Sequence, residues 1–107
     1  MSALEVGPLS ELPSGSMRLV VAGPLTIGVY NCAGRLYAIE DRCSHDDGPL
    51  CEGDWEPEAC VVVCPRHGSR FDLESGIPMS LPAFAAVETF SVTVREDGVV
   101  VVEVPDA

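Results

Sequence analysis

Cys43-Ser44-His45 and Cys64-Pro65-Arg66-His67-Gly68 are the two stretches on which the reading of this chain turns. Each sets a thiol and an imidazole two or three residues apart, and eighteen residues lie between His45 and Cys64. The chain holds only two histidines in 107 residues, and both stand beside a cysteine, once as C-x-H and once as C-x-x-H. A random scatter of two histidines would rarely do this. Thiolates are soft donors and imidazoles borderline ones, and a metal centre needs such donors to converge from a few directions. The residues alone admit two centres, a structural zinc ion or a mixed Cys/His iron–sulfur site.

Outward from these pairs the chain reads as strands and turns. Asp46-Asp47-Gly48-Pro49, Gly53-Asp54 and Glu56-Pro57-Glu58 leave no helical period between Asp41 and Ala59, so the first pair sits in a loop-built region. Cys60–Val63 is a short apolar strand that delivers Cys64, and Ser69–Leu73 is a second extended piece, turned by Glu74-Ser75-Gly76. Pro78 and Pro82 make residues 76–83 a loop. Upstream, Met17–Ala22, Leu25–Cys32 and Arg35–Glu40 are predicted strands, the last two a hairpin about Ala33-Gly34.

Val6-Gly7-Pro8 and residues 12–16 read as loops around a short polar piece. Downstream, Val87–Arg95 alternates, with Phe90, Val92 and Val94 on one face, and Asp97-Gly98 turns it into Val99–Val104. No helix of three turns is predicted. The expected class is all-β, in one domain over residues 1–107.

With both spacings in view, Cys43-x-His45 followed by Cys64-Pro65-x-His67-Gly68-x-x-Phe71-Asp72 resembles the Rieske 2Fe–2S motif. The resemblance extends to the flanking strands, the length and a proline loop near Leu81-Pro82, and so covers nearly the whole chain. It implies a Rieske fold: an antiparallel sandwich or barrel-like base with a loop-built cluster-binding subdomain over about 41–84. In that family two cysteines bind one iron and two histidines the other. By position, Cys43 and Cys64 would hold the inner iron, and His45 and His67 the outer one. Members from cytochrome bc-type complexes carry a disulfide between the cluster loops. Its cysteines would fall near Gly48 and at Arg66, and neither is cysteine here.

The resemblance therefore points to a soluble ferredoxin that takes one electron from a flavin reductase and passes it to a terminal oxygenase of the ring-hydroxylating kind. An accessory redox role in iron–sulfur assembly or a reductase complex uses the same residues. Ser69 stands where high-potential relatives place a hydroxyl on a bridging sulfide, but Phe71 replaces their tyrosine. Asp46 and Asp47 add negative charge after His45. These substitutions imply a midpoint in the lower part of the Rieske range, which spans roughly −150 to +300 mV. The loop around Pro82 is expected to shield the cluster from a third side.

Composition narrows the partners. Seventeen acidic against six basic residues give a formal charge of −11, which argues against nucleic acid and anionic membranes and suits solubility or a basic protein partner. No run approaches the ~18 apolar residues of a membrane-spanning helix, and Met1–Glu5 lacks the basic and apolar stretches of a signal peptide. A cytoplasmic monomer is expected. Cys32, Cys51 and Cys60 lie outside the motif and are expected to be unbridged, buried small hydrophobes; a Cys51–Cys60 bridge is the alternative, since both flank the same loop, though the expected compartment argues against it. Trp55 is expected to anchor the loop between the ligand pairs, a docking or electron-exit role being the alternative, and Arg66 to be exposed.

Overall fold

β-Branched runs cut by glycine turns leave this chain little choice but sheets, and a computed structural model describes them over residues 2–44 and 48–105. Three antiparallel sheets result. The first orders β1 (Ser2–Pro8), β10 (Val99–Val104) and β9 (Val92–Val94). The second orders β2 (Met17–Ala22), β3 (Leu25–Cys32), β4 (Arg35–Glu40) and β8 (Thr89–Phe90). The third, short and separate, orders β5 (Trp55–Glu56), β6 (Val61–Val63) and β7 (Arg70–Asp72). The only helical element among the described residues is a 3-10 turn at Leu9–Glu11.

The second sheet is a wall with a core on each side. Strand side chains alternate between faces, and in β3 this sends Leu25, Ile27 and Val29 toward the first sheet, and Tyr30 and Cys32 toward the third. In β4, Leu36 and Ala38 take the first direction, Tyr37 and Ile39 the second. The base core adds Val6, Leu12, Val100, Val102 and Val104, with Phe90 and Val92 against it. The other core adds Leu50, Val62, Phe71, Leu73, Ala83 and Val87, and it also contains Cys43 and Cys64. The candidate ligands thus stand on packed hydrocarbon rather than on a free loop.

Two strand expectations need correction. Val6-Gly7-Pro8 is not a loop: Ser2–Pro8 pairs along β10, with the register slipping between Glu5 and Gly7. Glycine and proline are tolerated there because β1 is an edge strand with a bulge, and Gly7 sits at φ +143°. Val87–Arg95 is not one strand either. Thr89–Phe90 pairs with β4, and Val92–Val94 pairs with β10, so the chain changes sheets at Ser91. Phe90 and Val92 face the base core as the alternation implies, while Val94 is exposed.

The cysteine expectation is also corrected. Cys32 and Cys60 are buried but joined in a disulfide, with Cα atoms 5.5 Å apart. Cys32 ends β3 and Cys60 precedes β6, so the bond stitches the wall to the third sheet at their common seam. Cys60 turns the chain there at φ +57°. Cys51 takes no part in this bridge and is buried as a thiol, in space that Gly28 leaves open: a Cβ on Gly28 would lie 2.5 Å from its Sγ. Trp55 is an anchor, its ring edge-on to Tyr30 at 4.9 Å between centroids.

Candidate metal centre

Both loops that carry the candidate ligands close in the same way. The Cys43 N–H donates to the Gly48 carbonyl at 2.8 Å, and the Cys64 N–H donates to the Ser69 carbonyl at 2.8 Å. Each cysteine therefore opens a loop of identical span. The second loop is the tip of the β6–β7 hairpin, tightened by Gly68 N–H to Cys64 carbonyl at 3.0 Å, with Gly68 at φ +79°. The first loop follows β4 and is steadied by Asp41, whose Oδ1 accepts the Cys51 N–H at 2.6 Å.

The loops meet over the cysteine-lined core. His67 Nε2 lies 3.3 Å from Cys43 Sγ and 3.5 Å from Cys64 Sγ. One donor atom from each of Cys43, Cys64 and His67 falls within 4.8 Å of the other two. The cysteines are fully buried, and His67 is half-buried at the surface, beside exposed Pro65 and Arg66. Of the predicted set, Cys43, Cys64 and His67 are brought together; His45, Asp46 and Asp47 lie outside the described residues.

Three features escape a reading by motif. Gly53, in the segment between the pairs, packs so closely on the strand leading to Cys64 that a Cβ there would meet the Val63 carbonyl oxygen at 1.9 Å. Ser44, inside the first motif, donates its hydroxyl hydrogen bond to the Ala85 carbonyl. Ser69 is fully buried, and its Oγ accepts the Ala83 N–H at 3.0 Å. Further along, the Arg70 N–H donates to Ser80 Oγ at 2.9 Å, and the Met79 N–H donates to the Arg70 carbonyl at 2.6 Å. The loop carrying Pro82 is consequently tied to both ligand loops. The Leu81–Pro82 peptide is cis and Pro82 is half-buried. A turn-rich sequence signals such a loop, but not which backbone groups hold it.

Charge at the site is mixed, with three carboxylates beside two guanidinium groups. Glu52 and Asp54 line a shallow groove with Arg66 and His67. Glu56 is ion-paired with Arg70, whose guanidinium holds that carboxyl below its usual range. Beneath, burial pushes the Cys51 thiol up to about 12, so it stays protonated at neutral pH. Burial likewise raises the Tyr30 phenol. Neither supplies charge to the centre.

Two buried thiols and an imidazole gathered at the tip of an antiparallel β scaffold define a metal-centre protein, and the soft donor pair fits an iron–sulfur group. The Rieske [2Fe-2S] domain family matches residues 2–91, and the chain belongs to that family. Its cofactor is therefore a Rieske-type 2Fe–2S cluster, which sets aside structural zinc. Full-length relatives agree. The 3-phenylpropionate/cinnamic acid dioxygenase ferredoxin subunits of Escherichia coli K12 and of Shigella flexneri serotype 5b are each 35% identical over 107 residues, covering 100% of this chain and 98% of theirs. The fold matches the ferredoxin of carbazole 1,9a-dioxygenase from Nocardioides aromaticivorans IC177, with TM-score 0.86, 27% identity, and coverage of 95% of this chain and 97% of that one. It also matches a chain in the complex of reduced oxygenase and oxidized ferredoxin of carbazole 1,9a-dioxygenase, with TM-score 0.85, 35% identity, and coverage of 94% and 91%. Like its ferredoxin relatives, this chain is an electron carrier. No described helix is long and apolar enough to cross a membrane.

Proposed function

We propose that this protein receives single electrons from a flavin-dependent reductase and delivers them to a terminal oxygenase of the ring-hydroxylating kind. In this reading Cys43 and Cys64 hold the inner iron, His45 and His67 hold the outer one, and residues 41–84 form the cluster-binding subdomain. The protein acts in the cytoplasm as a monomer. The observation that carries the reading is the graded burial of the donors: two thiols inside the core, and an imidazole opening to the surface at 3.3 and 3.5 Å from them.

When bound, the cluster supplies reversible one-electron chemistry. The chain's own residues do the rest. Leu50, Phe71 and Leu73, all fully buried, keep water from the thiol side. His67 forms the side facing a partner. The loop at Pro82 covers a third flank through its bonds to Ser44 and Ser69. Ser69 keeps its hydroxyl proton available while its Oγ accepts from Ala83. Asp46 and Asp47 would add negative charge beside His45 and lower the midpoint.

The test is reconstitution. The protein mixed with a flavin reductase and an oxygenase component should support oxygenase turnover that stops when it is left out. Voltammetry should place its midpoint in the lower part of the Rieske range. An inability to reduce any ring-hydroxylating oxygenase, or a midpoint near or above about +200 mV within the span known for these centres, would overturn the reading.

A further inference from the structure

Eight large apolar side chains of the described residues are exposed, and four of them fall in one stretch of eight residues: Ile77, Met79, Leu81 and Phe84, at 56, 59, 81 and 84% exposure. The other four, Leu9, Leu19, Val21 and Val94, belong to the 3-10 turn and to strands of the base sheets. Scattered apolar residues need no explanation, whereas a concentration beside a functional site does. Leu81 and Phe84 are the two most exposed of all, and between them Ala83 is buried. The chain holds Ala83 in and turns its two largest neighbours out.

This loop is fixed rather than loose. Ser69 Oγ accepts the Ala83 N–H, Ser44 donates to the Ala85 carbonyl, and the Arg70 backbone is bonded to both Met79 and Ser80. Ser44 and Ser69 belong to the two ligand loops themselves. A partner that seats on Leu81 and Phe84 is therefore registered against the metal centre through two side-chain hydrogen bonds. Electron transfer falls steeply with distance, so a carrier gains from an anchor placed beside its exit group.

We propose that Leu81 and Phe84 are the apolar anchor of the docking face for the electron-accepting oxygenase, an inference that rests on the function proposed above. Charge sets the chemistry of the other side. The chain carries −11 overall, and Glu52 and Asp54 outnumber the single guanidinium, Arg66, in the groove at His67. The fitting surface is an apolar patch ringed by lysine or arginine, with charge guiding approach and the Leu81/Phe84 pair holding the encounter. Such an interface is small and short-lived, as a carrier requires.

The experiment compares wild type, Leu81→Ser/Phe84→Ser, and a control pair on the base sheet, Leu19→Ser/Val21→Ser. Each is reduced chemically and mixed with the oxygenase component of the Escherichia coli 3-phenylpropionate dioxygenase and with that of the Nocardioides carbazole dioxygenase. The anchor variant should raise the apparent KM for the carrier roughly tenfold or more, while kcat, visible spectrum and reoxidation by ferricyanide stay as in wild type. The control pair should behave as wild type. Equal KM for wild type and anchor variant, or an equal loss in the control, would overturn the proposal. A wild type that reduces neither oxygenase overturns the function and the docking face together. A wild-type dimer in sedimentation that the anchor variant disperses would assign the patch to self-association instead.

Discussion

Replacing Ser69 with alanine removes one oxygen atom from a site with no access to water, and its effect is calculable from the neighbours it leaves. Ser69 is fully buried, and its Oγ receives the N–H of Ala83, itself 3% exposed. Without that oxygen the N–H has no water to turn to, so the full desolvation cost applies, about 1–3 kcal/mol. For a domain of this size each kcal/mol lowers the melting temperature by roughly 4–8 °C. A second effect is separable from the first. The Ser69 hydroxyl proton is not used by Ala83 and can favour the more negative, reduced state of the centre. One neutral hydrogen bond of about 1 kcal/mol corresponds to roughly 40 mV for a single electron, since a tenfold change in equilibrium constant is 59 mV. Ser69→Ala should therefore lower both the thermal midpoint, followed by loss of visible absorbance, and the reduction potential, followed by voltammetry. A lowered melting point at unchanged potential would confine Ser69 to anchoring the loop. An unchanged melting point would refute the reasoning at its root, because the buried N–H would have found another partner.

Cys32→Ser with Cys60→Ser opens a bridge across a sequence separation of 28, and the chain-entropy relation puts the cost at about 3–4 kcal/mol. Chemical unfolding under non-reducing conditions should show it, and wild type under strong reductant should approach the variant. Gly53→Ala forces a Cβ to within 1.9 Å of the Val63 carbonyl oxygen, so the strand before Cys64 must move; iron and sulfide content should fall well below stoichiometric. Cys51, with its thiol raised to about 12 by burial, should resist alkylation in the native protein at mildly alkaline pH. Its folded value lies above its ordinary one, so its contribution to stability is full below about 9 and is lost as pH rises through about 12. Melting temperature against pH should decline across that window, and less steeply in Cys51→Ala.

Much of this was legible in the sequence because the relevant signals are local. Two cysteines each followed by a histidine announce a metal centre, and Gly-Pro, Ala-Gly and Asp-Gly punctuation marks strand ends without reference to anything distant. What stayed hidden depends on partners far along the chain. Ser2–Pro8 carries little alternation and ends in residues that usually break strands, and only its pairing with β10 makes it one. Nothing within Val87–Arg95 says that its halves join different sheets. Cys32 and Cys60 read as buried hydrophobes, which they are, but their meeting requires that the end of β3 and the start of β6 share a seam. In the site, residue types were readable and hydrogen bonds were not. Ser44 looks like a spacer within C-x-H until Ala85, forty-one residues on, is placed against it.

The two-sided wall explains why so short a chain can hold a centre firmly while leaving one donor at the surface. A metal site on free loops would have to restrain each loop with its own contacts. Here β3 and β4 give one face to the base core and the other to the core beneath Cys43 and Cys64, so the alternation of a single hairpin serves both. The third sheet contributes only short strands, yet it is locked to that hairpin by Trp55 on Tyr30 and by the Cys32–Cys60 bond. Displacing the ligand-side core would thus mean displacing the wall, and the wall is held from behind by Val100, Val102 and Val104. Rigidity is inherited from the base. The loops are left with His67 half-buried at the surface and with Leu81 and Phe84 exposed.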